Sequence, residues 1–272
     1  MRSLCIAAVL LASACGSVNS PTEGKAVEDT ATEGRAAGDR AAGDRAAGDR
    51  AAGDRTVAGK APHWPIVYQQ NFLGPRALSE FAFTDAARWE WHQQGEEHGL
   101  KLLGGSKYKP PHRSPTSIAL LKNFEVRDFD LDVDLQQTGR NYGHRDMCLF
   151  FGFQSPSKFY YTHMATSPDP NAHNIFRVQD APRTNIAPVA KQGIDWGDEV
   201  WHHVHVERRV KDGVIRVYWD DQPEPILSAI DTNFDWGRIG FGSFDDSGIV
   251  ANIVVRAPMT RSASGQHDPF GK

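Results

Sequence analysis

From about residue 62 to residue 256 the chain alternates between apolar and polar positions. In 129–136, Phe129, Leu131, Val133 and Leu135 take every second position, and Asp130, Asp132, Asp134 and Gln136 fill the gaps. A period of two sets the apolar residues on one face of a strand and the polar ones on the other. Residues 147–153 are apolar on both faces and predict a central strand. Further runs fall at 88–92, 100–103, 117–121, 158–165, 174–179, 201–208, 214–220, 238–242 and 250–255, separated by clusters of Gly, Pro, Asp and Asn. No long stripe at helical spacing competes with them. About a dozen short strands over roughly 195 residues predict an all-β fold, a two-sheet antiparallel sandwich.

The pattern changes at both ends. No Phe, Tyr, Trp or His occurs before His63, while all 7 Trp and all 11 His follow from there. A segment without large apolar side chains cannot offset its own ordering entropy, so the folded domain is expected to span 62–256. Met1-Arg2 followed by the apolar run 4–14 reads as a signal peptide over 1–15, too short to span a bilayer. The run ends Leu11-Ala12-Ser13-Ala14-Cys15, which resembles a bacterial lipobox; the resemblance implies that Cys15 is lipidated and becomes the mature N-terminus. Ala12-Ser13-Ala14 also reads as a cleavage site for plain export. The expected location is therefore the outer membrane or cell surface, otherwise the periplasm or the medium. Residues 36–55 are consecutive copies of Ala-Ala-Gly-Asp-Arg, and 16–61 is expected to be a flexible linker. Residues 257–272 read as a flexible tail.

Composition narrows the partners. Lys and Arg total 30 against 34 Asp and Glu, a net charge of −4, which gives nucleic acid no electrostatic footing. Cys5 leaves with the signal and Cys15 is the lipid acceptor, so Cys148 alone remains and no internal disulfide can form. In its apolar run Cys148 reads as a buried structural thiol. A monomer is expected, touching a membrane only through the N-terminal lipid.

The segment Trp201-His202-His203-Val204-His205-Val206-Glu207-Arg208 leads through Asp212-Gly213 to Val214-Ile215-Arg216-Val217-Tyr218-Trp219-Asp220. This pair resembles the hairpin of concanavalin A-like and laminin-G-like jelly rolls. The run Gly237-Arg238-Ile239-Gly240-Phe241-Gly242-Ser243-Phe244-Asp245-Asp246-Ser247-Gly248, then Ala251-Asn252-Ile253-Val254-Val255, is similar to their closing strands and to domains of the 3-keto-disaccharide hydrolase type. The resemblance implies a jelly-roll sandwich that commonly binds glycans on a concave face. It covers 200–256 firmly, and its motifs specify hairpins and turns rather than an activity.

Polar residues gather between 110 and 185. If the short connection 154–157 closes a hairpin, His144 and Asp146 share a sheet face with Tyr161 and His163. A His paired with Asp exchanges protons near neutral pH, and a neighbouring Tyr can deliver one to a leaving oxygen. His144, Asp146, Tyr161 and His163 are therefore the catalytic candidates. Arg113, Tyr142, Tyr160, His173, Asn174, Arg177 and Arg183 are the substrate-binding candidates, the arginines suited to a uronate carboxylate. The expected ligand is a carbohydrate, acted on by a glycoside hydrolase or polysaccharide lyase, or held by a non-catalytic lectin-like or adhesion module. The motifs of jelly-roll lyases and of laminarinase-like glucanases are missing. A structural envelope protein without a small ligand is the third reading. No cofactor or metal is expected. His203 and His205 share a face but belong to a structural hairpin, and Asp245-Asp246-Ser247-Gly248 needs no calcium to make a turn.

Overall fold

The computed structural model describes residues 64–263 and 268–270. The signal segment with Cys15, the repeats of the linker and residues 264–267, 271 and 272 of the tail lie outside the described residues.

The strands, in chain order, are β1 (Ile66–Gln70), β2 (Phe81–Phe83), β3 (Trp89–Gln94), β4 (Glu97–Leu102), β5 (Ser117–Leu121) and β6 (Phe124–Val126). Then come β7 (Phe129–Gln137), β8 (Asp146–Ser155), β9 (Lys158–Ala165), β10 (Asn174–Gln179) and β11 (Thr184–Asn185). The last are β12 (Trp201–Arg209), β13 (Val214–Trp219), β14 (Leu227–Ile230), β15 (Arg238–Ser243), β16 (Gly248–Arg256) and β17 (Thr260–Ser262). Sheet A runs β14-β13-β12-β7-β16-β4-β3, with β1 also beside β16; sheet B runs β11-β10-β9-β8-β15-β5-β2. The described pairings are antiparallel, and the chain passes from sheet to sheet in the jelly-roll manner.

The two inner faces make the main core. Leu131, Val133 and Leu135 from β7, Val204 and Val206 from β12, and Met147, Leu149 and Phe151 from β8 are all at most 1% exposed. β7 follows its sequence period, with the apolar set inside and Asp130, Asp132 and Asp134 on the outer face of sheet A. Strand β8 departs from its period. Its register against β9 shifts between Phe151 and Ser155, where Gly152 takes φ 56°. That left-handed backbone suits glycine and marks a bulge. The bulge moves Phe153 to the opposite face from Phe151, a correction to the simple alternation.

The outer face of sheet B is not open to solvent. Ile118, Leu120, Cys148, Phe150, Phe153, Phe159, Tyr161, Phe176 and Val178 form a second apolar cluster, with Tyr108 and Phe244 packed against it. Phe270 joins the cluster, its ring 5.8 Å from Tyr108 and 5.9 Å from Phe153. Described residues after β16 pack on the domain: Ala257 is buried, β17 pairs with β6, and Phe270 sits on the sandwich. A three-residue strand and one aromatic are too short to show as periodicity.

Candidate functional site

Asp146 opens β8 and lies fully buried on the outer face of sheet B. Strand pairing sets Cys148 opposite His163, and His163 opposite Asn174. Asp146 Oδ2 lies 2.6 Å from His163 Nε2 and accepts from Cys148 Sγ at 3.1 Å, while its Oδ1 accepts from Ser243 Oγ. The backbone N–H of Asp146 donates to Asp246 Oδ2 at 3.0 Å, and Tyr142 Oη donates to the same oxygen at 2.9 Å. Burial alone would raise the Asp146 carboxyl. The His163 charge and the hydrogen bonds from His163, Ser243 and Cys148 outweigh it and hold the group below the usual carboxylate range. Burial and then the Asp146 charge push Asp246 up to about 7. Two neighbouring carboxyls are thereby driven apart, the pattern that separates an acid from a base. Burial, and then Asp146, raises the Cys148 thiol well above its ordinary value, as expected of an inert structural cysteine.

Beside this network, Arg183 Nη1 donates to Tyr161 Oη at 2.6 Å and Nη2 to the Asn171 carbonyl at 2.9 Å. The Arg183 guanidinium carbon lies 4.3 Å from the centre of the Phe176 ring. His163 Nδ1 and His173 Nε2 are buried without a hydrogen-bond partner. His173 takes φ 50°, and burial, followed by the His163 charge, lowers it to about 4.

Asp146, Tyr161 and His163 therefore share one face, with Tyr142 and Arg183 attached, but they lie beneath the second cluster rather than on a surface. His144 does not join them: it precedes β8, is half exposed and pairs with Asp169 at 2.6 Å. Tyr160, one residue from Tyr161, points into the main core, where its hydroxyl bonds Asp231. Arg177 is on that side too, 2.5 Å from Asp231 Oδ2. Asn174 brackets the backbone of Ala187 with both atoms of its amide. Arg113 is exposed in the β4–β5 connection. Ser243 and Asp246 were not visible as partners of Asp146, because they stand 97 and 100 positions away.

The outer face of sheet A is polar and reachable. His203 Nδ1 is 2.9 Å from Asp134, His205 Nδ1 is 2.8 Å from Asp132, and Arg256 meets Asp132 at 2.6 Å. Hydrogen bonds that His203 donates to Asp132 and Asp134 raise it to about 9, so it is charged at neutral pH. The acidic row is thus paired along its length. At one end of this face lies an open groove of about 510 Å³, lined among others by His92, Glu97, Lys101, Gln136, Glu199 and Trp201. Elsewhere Trp89 is buried, Trp91 donates to the Phe72 carbonyl, and Trp64 lies under Arg209.

Two sheets exchanging strands in this order define an antiparallel jelly-roll sandwich, with one covered and one open polar face. No protein-family model matches the chain. No curated protein matches it. Among solved structures, it is similar to a carbohydrate-binding module from Bacillus subtilis, with 16% identity, 65% of this chain and 96% of the other covered, and a TM-score of 0.47. A Bacillus subtilis protein of galectin-like fold gives 12%, 71%, 96% and 0.47, and lectin I-B4 from Griffonia simplicifolia gives 12%, 70%, 97% and 0.43. Likenesses of this size carry no argument about ligand or chemistry.

Proposed function

We propose that the protein is an exported, lipid-anchored carbohydrate-binding module whose ligand lies in the groove on sheet A. The observation that carries this reading is the groove itself: open, about 510 Å³, and lined by amide, carboxylate, ammonium and imidazole groups around the half-buried Trp201 indole. Sugar hydroxyls pair with such polar groups, and the apolar face of a pyranose stacks on indole. Export is supported by the apolar run 4–14, and the anchor by the lipobox ending in Cys15. In cells fed a labelled fatty acid, label is expected on the wild type and absent from Cys15→Ser; equal labelling rejects the anchor.

Titration of the protein with neutral and acidic polysaccharides should give saturable binding to at least one. Trp201→Ala should weaken it at least tenfold, about 1.4 kcal/mol. Unchanged binding in that variant, with loss in Arg183→Ala, would move the ligand to sheet B.

Cleavage by hydrolysis or β-elimination is a second reading, favoured by one observation. Asp146 holds His163 through Nε2 and leaves Nδ1 unpartnered, as a proton-transfer pair requires. Arg183 could then hold a uronate carboxylate, provided the ligand displaces Tyr161 from it. New reducing ends that disappear in His163→Ala would support this reading, and binding without turnover would reject it.

A further inference from the structure

At the far end of the sheet A face from the groove, three side chains converge with their orientations already set. Pairing of β7 with β12 places Asp130 opposite Glu207 and Asp132 opposite His205. Asp132 Oδ1 holds His205 through Nδ1 at 2.8 Å, which turns Nε2 to within 4.0 Å of Glu207 Oε1. Arg216 engages the other Glu207 oxygen at 3.3 Å, and Arg209 takes Asp130 Oδ1 at 2.6 Å. His205 Nε2 and Glu207 Oε1 thus face each other, and the Arg209 contact to Asp130 is made through Oδ1. One donor atom from each of Asp130, His205 and Glu207 lies within 4.8 Å of the other two.

We infer that Asp130, His205 and Glu207 form a binding site for a divalent transition-metal ion of the zinc type. Metal–nitrogen and metal–oxygen bonds of about 2.0–2.2 Å let an ion sit between atoms up to about 4.2 Å apart, so the gap between His205 and Glu207 is of the right size. A carboxylate on the far nitrogen of a ligand histidine fixes its tautomer and raises its basicity, and Asp132 is placed to do this. One imidazole and two carboxylates favour zinc, cobalt or nickel over calcium or magnesium, which take all-oxygen shells. Arg209 and Arg216 hold one oxygen of Asp130 and of Glu207, so an ion competes with both guanidinium groups for these carboxylates. His205 and Glu207 have side chains 14% and 16% exposed, so an ion can reach them from solvent. The site stands apart from the carbohydrate reading and survives its failure.

The test is calorimetric titration of tag-free protein with zinc chloride, repeated with cobalt while following visible absorption. One ion per chain is expected, and cobalt should give ligand-field bands. His205→Ala and Glu207→Gln should abolish both signals, while Asp132→Asn weakens zinc binding roughly 10–100-fold. His144→Ala, a surface histidine elsewhere, should bind as the wild type does. A change in circular dichroism or melting temperature would show whether a variant had lost its fold. If His205→Ala misfolds, Glu207→Gln decides the matter. No binding by the wild type, or wild-type affinity in a folded Glu207→Gln, overturns the site.

Discussion

Asp146→Ala is expected to lower the unfolding free energy by about 3–5 kcal/mol, the cost of stripping a buried polar cluster of its shared acceptor. The substitution leaves His163 Nε2, Ser243 Oγ and Cys148 Sγ facing a dry space without the carboxylate they bond. Adding His163→Phe should recover part of the loss, because the stranded donor goes with its acceptor. Denaturant midpoints of the two variants measure both effects, and a loss below about 1 kcal/mol would show that the network contributes little. The same network sets a pH dependence with two signs. Asp146, lowered in the fold, contributes stability above its unfolded pKa near 4, and that contribution is lost as the pH falls toward the folded value. Asp246, raised to about 7, does the reverse: its contribution is complete below about pH 4 and disappears as the pH rises through 7. The slope from Asp246 in that window is at most ~1.4 kcal/mol per pH unit, less whatever solvent screening removes at the turn. Asp246→Asn should flatten it.

Arg208→Ala is the second large effect, expected to cost about 3–5 kcal/mol by uncovering several buried carbonyls together. Arg208 is 2% exposed. It donates to the carbonyls of Gly213, Asp231 and Phe234 at 2.9 Å each, joining the β12–β13 turn to the loop before β15. Its guanidinium also lies 5.4 Å from the Tyr160 ring centre. Arg208→Lys should fall between wild type and alanine, since an ammonium cannot span several acceptors with a planar fork. A melting temperature unchanged in Arg208→Ala would refute this account.

The sequence was most legible where one face of a strand meets water. The Asp-alternating run of β7 and the His-alternating run of β12 fix which side chains point inward, because a one-residue slip would bury the charges. Legibility falls where both faces are covered. In 147–153 every position is apolar, so nothing in the run marks the bulge at Gly152 or the reversal of Phe153. The same ambiguity hid the second cluster. Alternation put Asp146, Tyr161 and His163 on the face away from the main core, but it could not tell that Tyr108, Phe244 and Phe270 close over that face. Tyr160 and Arg177 belong to the opposite face, which their proximity in sequence to Tyr161 and Phe176 conceals. The partners supplied by Ser243 and Asp246 come from tertiary folding alone, and local pattern holds no record of them.

The ends of the two strand paths bear on how copies of the protein keep apart. Sheet B ends in β11, of two residues, and β2, of three, while sheet A ends in β14, of four. Edges that short offer an incoming chain few backbone hydrogen bonds and resist sheet-to-sheet growth. Strand β3 is longer, six residues from Trp89 to Gln94. It presents Glu90, Gln93 and Gln94 to water and only partly covers Trp91. When heat or acid loosens the sandwich, β3 is thus the rim along which copies are expected to join first, and the Glu90–Lys101 ion pair at 3.4 Å is the charged group an incoming strand meets there.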